Sequence, residues 1–226
     1  MHLTYYGHSC FLLETGGSKI LFDPFIRPNP LAKDVDVAAI EADYILLSHG
    51  HGDHVADTAE IAQNTGAELL GMVELLGWFG AQGLKATYQM NLGGTVQLPF
   101  GTVQMVAAAH SSSLPDGSYA GLAAGFVIKS EGKTLYFAGD TALTYDMKLI
   151  GERHTLDVVL LPIGDHFTMG IDDALVAADW TGAAKIVGMH FDTFPPIAID
   201  HAATQAKATQ AGKELVLMSI GETITL

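Results

Sequence analysis

The stretch "ILLSHGHGDH" crowds His49, His51, Asp53 and His54 into six positions, directly behind the apolar run Tyr44–Leu47. Imidazoles and a carboxylate that converge without a partner cost stability, so this grouping points to a bound cation. The nitrogen and oxygen donors suit zinc, manganese, iron or nickel, and the lack of sulfur argues against a structural zinc finger. One ion takes about four ligands, but side chains this close in sequence do not all reach one ion comfortably. Two ions sharing further ligands are the easier geometry. Residues of the same kind recur later: His110 follows "VQMVAAA", Asp140 follows "TLYFAG" and His190 follows "KIVGM". Each stands at the end of a strand-like segment, as a site built on the rim of a sheet requires. Taken singly, any of the three also reads as an ordinary loop residue; their succession carries the inference.

The elements that must position these residues follow from hydrophobic patterning. His2–Tyr6, Cys10–Glu14 and Lys19–Phe22 read as short strands, the last two joined by the glycine-containing hairpin loop "ETGGSK". "DPFIRPNPLAKD", with three prolines, reads as an irregular surface loop. Tyr44–Leu47 reads as a buried strand and His54–Asn64 as a helix. Val73–Gln82 is a second helix, before strands at Thr95–Leu98 and Val103–Ala108. Strands at Ala123–Lys129, Thr134–Ala138, Val158–Leu161, Lys185–Gly188 and Leu215–Met218 follow, with helices at Asp172–Thr181 and His201–Gln210. Both halves run from antiparallel hairpins into β/α alternation, with no fixed-period repeat and no linker. The expectation is one α/β domain over 1–226, two sheets with helices outside.

Composition narrows the function classes. Apolar residues make up 49% and charged ones 16%, which suits a compact enzyme rather than a disordered chain. A net charge of −14 repels nucleic acid and anionic membranes. Cys10 is the only cysteine, so neither an internal disulfide nor a thiolate cluster is available. "MHLTYYGHSC" has no basic region leading into an apolar core, and no apolar run approaches the ~20 residues of a membrane helix. A cytoplasmic protein is expected, acting on a small molecule without nucleic-acid or membrane partners, whether alone or as a homo-oligomer.

In order and approximate spacing, "HGHGDH", His110, "AGDT" around Asp140 and the later His190 resemble the metallo-β-lactamase superfamily. The segments "GHSCFLLE", "ILFDPF", "AAHSSS", "YFAGDT", "PIGDHFTMG" and "MHFDTFPPI" look most like its small, poorly characterised metal-dependent hydrolases, cousins of the L-ascorbate-6-phosphate lactonases. The resemblance covers essentially the whole chain. It implies a four-layer αβ/βα sandwich, with two mixed sheets flanked by helices and metals at one sheet edge. One ion would take His49, His51 and His110, the other Asp53, His54 and His190, with Asp140 bridging them. Asp23 in "LFDP" matches an aspartate that supports the site from behind the ligands; alone, it also reads as a turn residue before Pro24. The family more often has asparagine where this chain has His166 and Asp192.

The chemistry so implied is hydrolysis of a small ester, lactone or phosphoester by a metal-bridged hydroxide. Two divalent ions, zinc first and manganese, iron or nickel after it, about 3.5–4 Å apart lower the pKa of a shared water to near neutrality. Asp53 is the expected catalytic carboxylate, orienting the nucleophile or carrying its proton. His8 in "YGHSC" and His166 in "PIGDHFTMG" are candidates to contact substrate or support the ligands. His8 is the stronger, as donor to a developing oxyanion or leaving group; the plain alternative for both is a loop histidine. Cys10 reads as a small buried residue, and His2, His154 and His201 as surface. Two other function classes compete. A nuclease or phosphodiesterase would want the basic surface this chain lacks. A metal-stabilised scaffold or redox protein would melt differently without metal but turn nothing over.

Overall fold

A computed structural model describes residues 1–226. Its first sheet is built from β1 (His2–Gly7), β2 (Cys10–Thr15), β3 (Ser18–Phe22), β4 (Tyr44–Leu47), β5 (Glu68–Met72) and β6 (Tyr88–Met90). Helices α1 (Gly52–Val55), α2 (Thr58–Thr65) and α3 (Val73–Ala81) lie between β4 and β6 in the chain. The second sheet takes β7 (Thr95–Leu98), β8 (Gly101–Ala107), β9 (Ala124–Ser130), β10 (Lys133–Phe137), β11 (Val158–Pro162), β12 (Lys185–Met189) and β13 (Glu214–Val216). Between them run α4 (Asp146–Arg153), α5 (Ile171–Thr181) and α6 (His201–Gln210). The final strand, β14 (Thr223–Thr225), returns to the first sheet beside β1.

Strand order is β14-β1-β2-β3-β4-β5-β6 in one sheet and β13-β12-β11-β10-β9-β8-β7 in the other. Each sheet is mixed: β3 through β6 and β10 through β13 are parallel, and the rest pair antiparallel. The inner faces meet in a cluster of 63 buried residues, in which Phe22 and Phe137 stack across the sheets with ring centroids 4.7 Å apart. Helix α3 covers β5 and β6, α5 covers β11, and α6 covers β13. These layers are the αβ/βα sandwich that the sequence implies.

Strand direction is what makes a site. Two antiparallel steps separate β1 from β3 and β8 from β10, so both run the same way as the parallel strands beside them. The C-terminal ends of β1, β3, β4, β8, β10 and β12 therefore open onto one edge. His8, Asp23, His49, His110, Asp140 and His190 each follow one of those ends.

Three local expectations change. The helix expected over His54–Asn64 is two, α1 and α2, parted at Ala56 and Asp57. Asp57 is the reason: its N–H donates to the Pro24 carbonyl, and its Oδ2 accepts from the Ile26 and Arg27 N–H groups at 2.6 and 3.0 Å. The proline-rich loop is irregular as read, but not a surface loop throughout, because Phe25, Ile26, Asn29 and Ala32 are buried. Three strands and a helix, β5, β6, β14 and α4, also go beyond the sequence reading, as do 3₁₀ turns at Val37–Ala39 and Pro195–Ile197.

Candidate metal centre

His49, at the end of β4, lies with His51 and His110 in one group whose ligand-type atoms all fall within 4.8 Å of one another. Asp53 and His54 sit on the first turn of α1 and join His190 and His8 in a second group of the same compactness. Asp140 stands between the groups. Its Oδ2 is 3.0 Å from His190 Nε2 and 3.6 Å from His110 Nε2, and its Oδ1 is 3.3 Å from His54 Nε2.

Of the two glycine spacers in "HGHGDH", only Gly50 is packed tightly. A Cβ there would lie 2.5 Å from that of Ala120, on the loop after His110. The same loop is tied down by Gly50 N–H donating to Ser112 Oγ (3.2 Å) and by Ser111 Oγ beside His51 Nε2 (3.3 Å). A Cβ on Gly52 would meet open space, so this residue serves the site only by opening α1.

Asp23 is wholly buried and accepts three hydrogen bonds, from Ser48 N (2.8 Å), Ser48 Oγ (2.5 Å) and His54 Nδ1 (2.8 Å). With the Ser48 hydroxyl proton given to Asp23, Ser48 Oγ accepts from His49 Nδ1 at 2.9 Å. One carboxylate thus fixes the tautomer of a histidine in each group, directly for His54 and through Ser48 for His49. With Nδ1 engaged, each ring turns Nε2 into the site, that of His49 toward His51 Nδ1 at 3.0 Å and that of His54 toward Asp140 Oδ1 at 3.3 Å, the support that metal-bound histidines characteristically receive. His190 is held differently: its N–H donates to the His8 carbonyl at 2.9 Å and its ring lies 4.1 Å from that of His8.

Burial sets the electrostatics. It pushes the His49 imidazole well below its ordinary range and lowers His51 and His110 as well, so these rings are neutral donors. His8 is lowered to about 4, again mainly by burial. Burial raises the Asp23 carboxyl. It works against charge on His54 too, yet the carboxylates of Asp140 and Asp23 outweigh it and raise that imidazole well above its usual value. Burial opposes ionisation of Asp140 and Asp53, but His54 and His190 around the first, and the His8 hydrogen bond and His54 around the second, hold both carboxyls low.

The residues fit a divalent ion. His54 Nε2 and Asp140 Oδ1 are buried with no hydrogen-bond partner although they face each other across 3.3 Å. A divalent cation bound between them would displace the proton that the carboxylates otherwise hold on His54 and take both electron pairs. The donor set of imidazole nitrogen and carboxylate oxygen, with no sulfur, matches the same ions.

The remaining candidates differ in placement. His8 lies within the second group with its side chain wholly buried and Nε2 on Asp53 Oδ2 at 3.1 Å. His166 stands exposed at the tip of the β11–α5 loop, outside both groups. Cys10 is buried. His2 and His201 are exposed, but His154, expected at the surface, is half-buried with Nε2 on Gln104 Oε1 at 3.0 Å. Ser48 and Thr193, which orient site histidines, escaped the sequence reading. The signal for Ser48 was its place directly before His49.

Comparison with known proteins agrees with this geometry. Residues 2–190 match the family described as "Beta-lactamase superfamily domain". A "UPF0173 metal-dependent hydrolase" of Flavobacterium johnsoniae is 49% identical over 226 residues, covering 100% of both chains. Igni18, described as a novel metallo hydrolase from the hyperthermophilic archaeon Ignicoccus hospitalis, is 36% identical with a TM-score of 0.89, over 99% of this chain and 97% of that one. An isothiocyanate hydrolase from Delia radicum gut bacteria shares the fold, at 23% identity and a TM-score of 0.79, over 100% and 99% of the two chains. The chain belongs to the metallo-β-lactamase superfamily. Within it, the chain is a metal-dependent hydrolase of the UPF0173 kind. No helix is long and apolar enough to cross a membrane.

Proposed function

We propose that the centre holds two divalent ions, zinc in the first instance, and hydrolyses a small ester, lactone or phosphoester in the cytoplasm. The observation that carries the reading is Asp140, which reaches His110 of one group and His190 of the other through the same oxygen, at 3.6 and 3.0 Å. In this reading His49, His51 and His110 hold one ion, Asp53, His54 and His190 the other, and Asp140 both. Two such ions supply a water acidic enough to attack near neutral pH and polarise the oxygen that gains charge.

The chain's own residues do the rest. Neutral His49, His51 and His110 offer nitrogen pairs without competing protons. Asp53, the most exposed carboxylate of the site with a side chain 29% exposed, is placed to orient the attacking water and accept its proton. Asp23 and Ser48 prevent the histidines from rotating away during turnover. The net charge of −14 favours small substrates over RNA or DNA.

Metal-loaded protein should therefore turn over members of a panel of chromogenic esters, lactones and phosphodiesters, and a chelator should abolish that turnover. Tight, salt-sensitive cleavage of folded RNA would overturn the small-substrate reading. Metal-dependent melting with no turnover on any substrate would favour a scaffold instead.

A further inference from the structure

We propose that His8 and Thr193 form a relay that positions Asp53, and with it one of the two metal sites; the inference rests on the dinuclear reading above. His8 closes the turn between β1 and β2 and has a left-handed backbone, φ 57°. Neither of its ring nitrogens is free. Nδ1 lies 2.9 Å from Thr193 Oγ1, and Nε2 lies 3.1 Å from Asp53 Oδ2.

The proton inventory decides what the relay does. A carboxylate only accepts, so the bond to Asp53 requires a proton on His8 Nε2. Nδ1 then carries a lone pair and needs a donor, which Thr193 provides. The other acceptor near that hydroxyl, the Phe191 carbonyl, is 3.3 Å away and already accepts the Thr193 N–H at 2.8 Å. The hydroxyl has one proton for two acceptors, and His8 Nδ1, at 2.9 Å the nearer and with no other donor, takes it, which selects the Nε2–H tautomer. That tautomer fixes the rotation of Asp53.

The surroundings serve the same end. Phe25 and Phe194 pack edge-on to the His8 ring, with centroids 5.5 and 5.6 Å away. They exclude water, which strengthens a short polar chain. The His8 carbonyl accepts from Tyr5 Oη (3.2 Å) and from His190 N–H (2.9 Å), so the turn is anchored to a proposed ligand on the other sheet. His8 thus acts through Asp53 as a positioning residue and touches no substrate.

Thr193→Val keeps the shape of the threonine and removes only its proton. Stepwise Zn²⁺ affinities, read by competition with a chromophoric chelator, should show one site weakened at least about threefold and the other unchanged. His8→Ala should weaken the same site by about 10–100-fold, the usual effect of losing a ligand's supporting partner. Thr193→Ser should restore the wild-type affinity, and His8→Gln, whose amide can replace the Nε2–H, should recover part of it. Equal weakening of both sites, unchanged affinities in both Thr193→Val and His8→Ala, or no recovery with serine would overturn the relay. These affinities are read without turnover, so a wild-type protein that binds two Zn²⁺ yet hydrolyses nothing would refute the hydrolase reading alone.

Discussion

The two edges of the sandwich meet the same backbone problem differently, because the site edge, although it too uses glycine at Gly7 and Gly139, adds polar side chains. Away from the site, chain reversals that need a left-handed backbone use glycine, as at Gly16 and Gly17 between β2 and β3 and Gly132 between β9 and β10. At the site edge the same conformation falls on His8, Asp23, Asp165, His166, His190 and Asp192, and only Glu131 adopts it elsewhere. A non-glycine residue there costs about 1–2 kcal/mol. Glycine would remove that cost, but it would also remove the side chains that make the site. At His8, Asp23 and His190, then, stability is given up to aim polar groups inward, and the apolar core of 63 residues offsets the loss.

The largest effect should come where the two metal groups meet. Asp140→Ala removes the carboxylate whose one oxygen reaches a histidine of each group, and should abolish turnover and lower metal content; full activity with unchanged metal would refute the bridging role. Asp23→Ala comes next. It strips three hydrogen bonds from a buried cluster and leaves His54 charged beside fewer partners. Breaking a buried charge pair in this way costs about 3–5 kcal/mol, readable in chemical denaturation of the chelated protein. A loss under about 1 kcal/mol would show that Asp23 is an ordinary turn residue before Pro24.

Ser48→Ala should act on metal rather than on folding. It unties only His49 from Asp23, so the His49 site should weaken by about tenfold while the other site holds. Weakening of the other site in its place would reverse the assignment. The smallest effect belongs to the far edge. A Cβ on Gly132 meets nothing within 4 Å, so Gly132→Ala isolates the backbone cost at φ 76°. It should lower stability by about 1 kcal/mol and leave metal content and turnover untouched. Altered turnover would show that the two edges are coupled.

Much of this was legible in the sequence because the site sits where strands end. "ILLSHGHGDH" exposes the motif directly after β4, and the apolar runs before His110, Asp140 and His190 mark three further strand ends. The orienting residues were harder to find, because their partners come from elsewhere in the chain. Thr193 lies 185 residues from His8, and Asp23 lies 31 from His54, so neither pairing shows as a local pattern. The role of Asp23 came from family resemblance, not from spacing. Helix α4 hides for another reason: it is only 8 residues long and buries just Met147 and Ile150, a face too short to stand out. Asp57 likewise looks like any helical aspartate until its oxygen is seen holding the Ile26 and Arg27 amides.

The central claim is two ions joined through Asp140, and elemental analysis of protein reconstituted with excess divalent metal and then desalted tests it most directly. The account predicts close to two ions per chain, both lost to a strong chelator together with turnover. A fully active preparation holding about one ion per chain would contradict it.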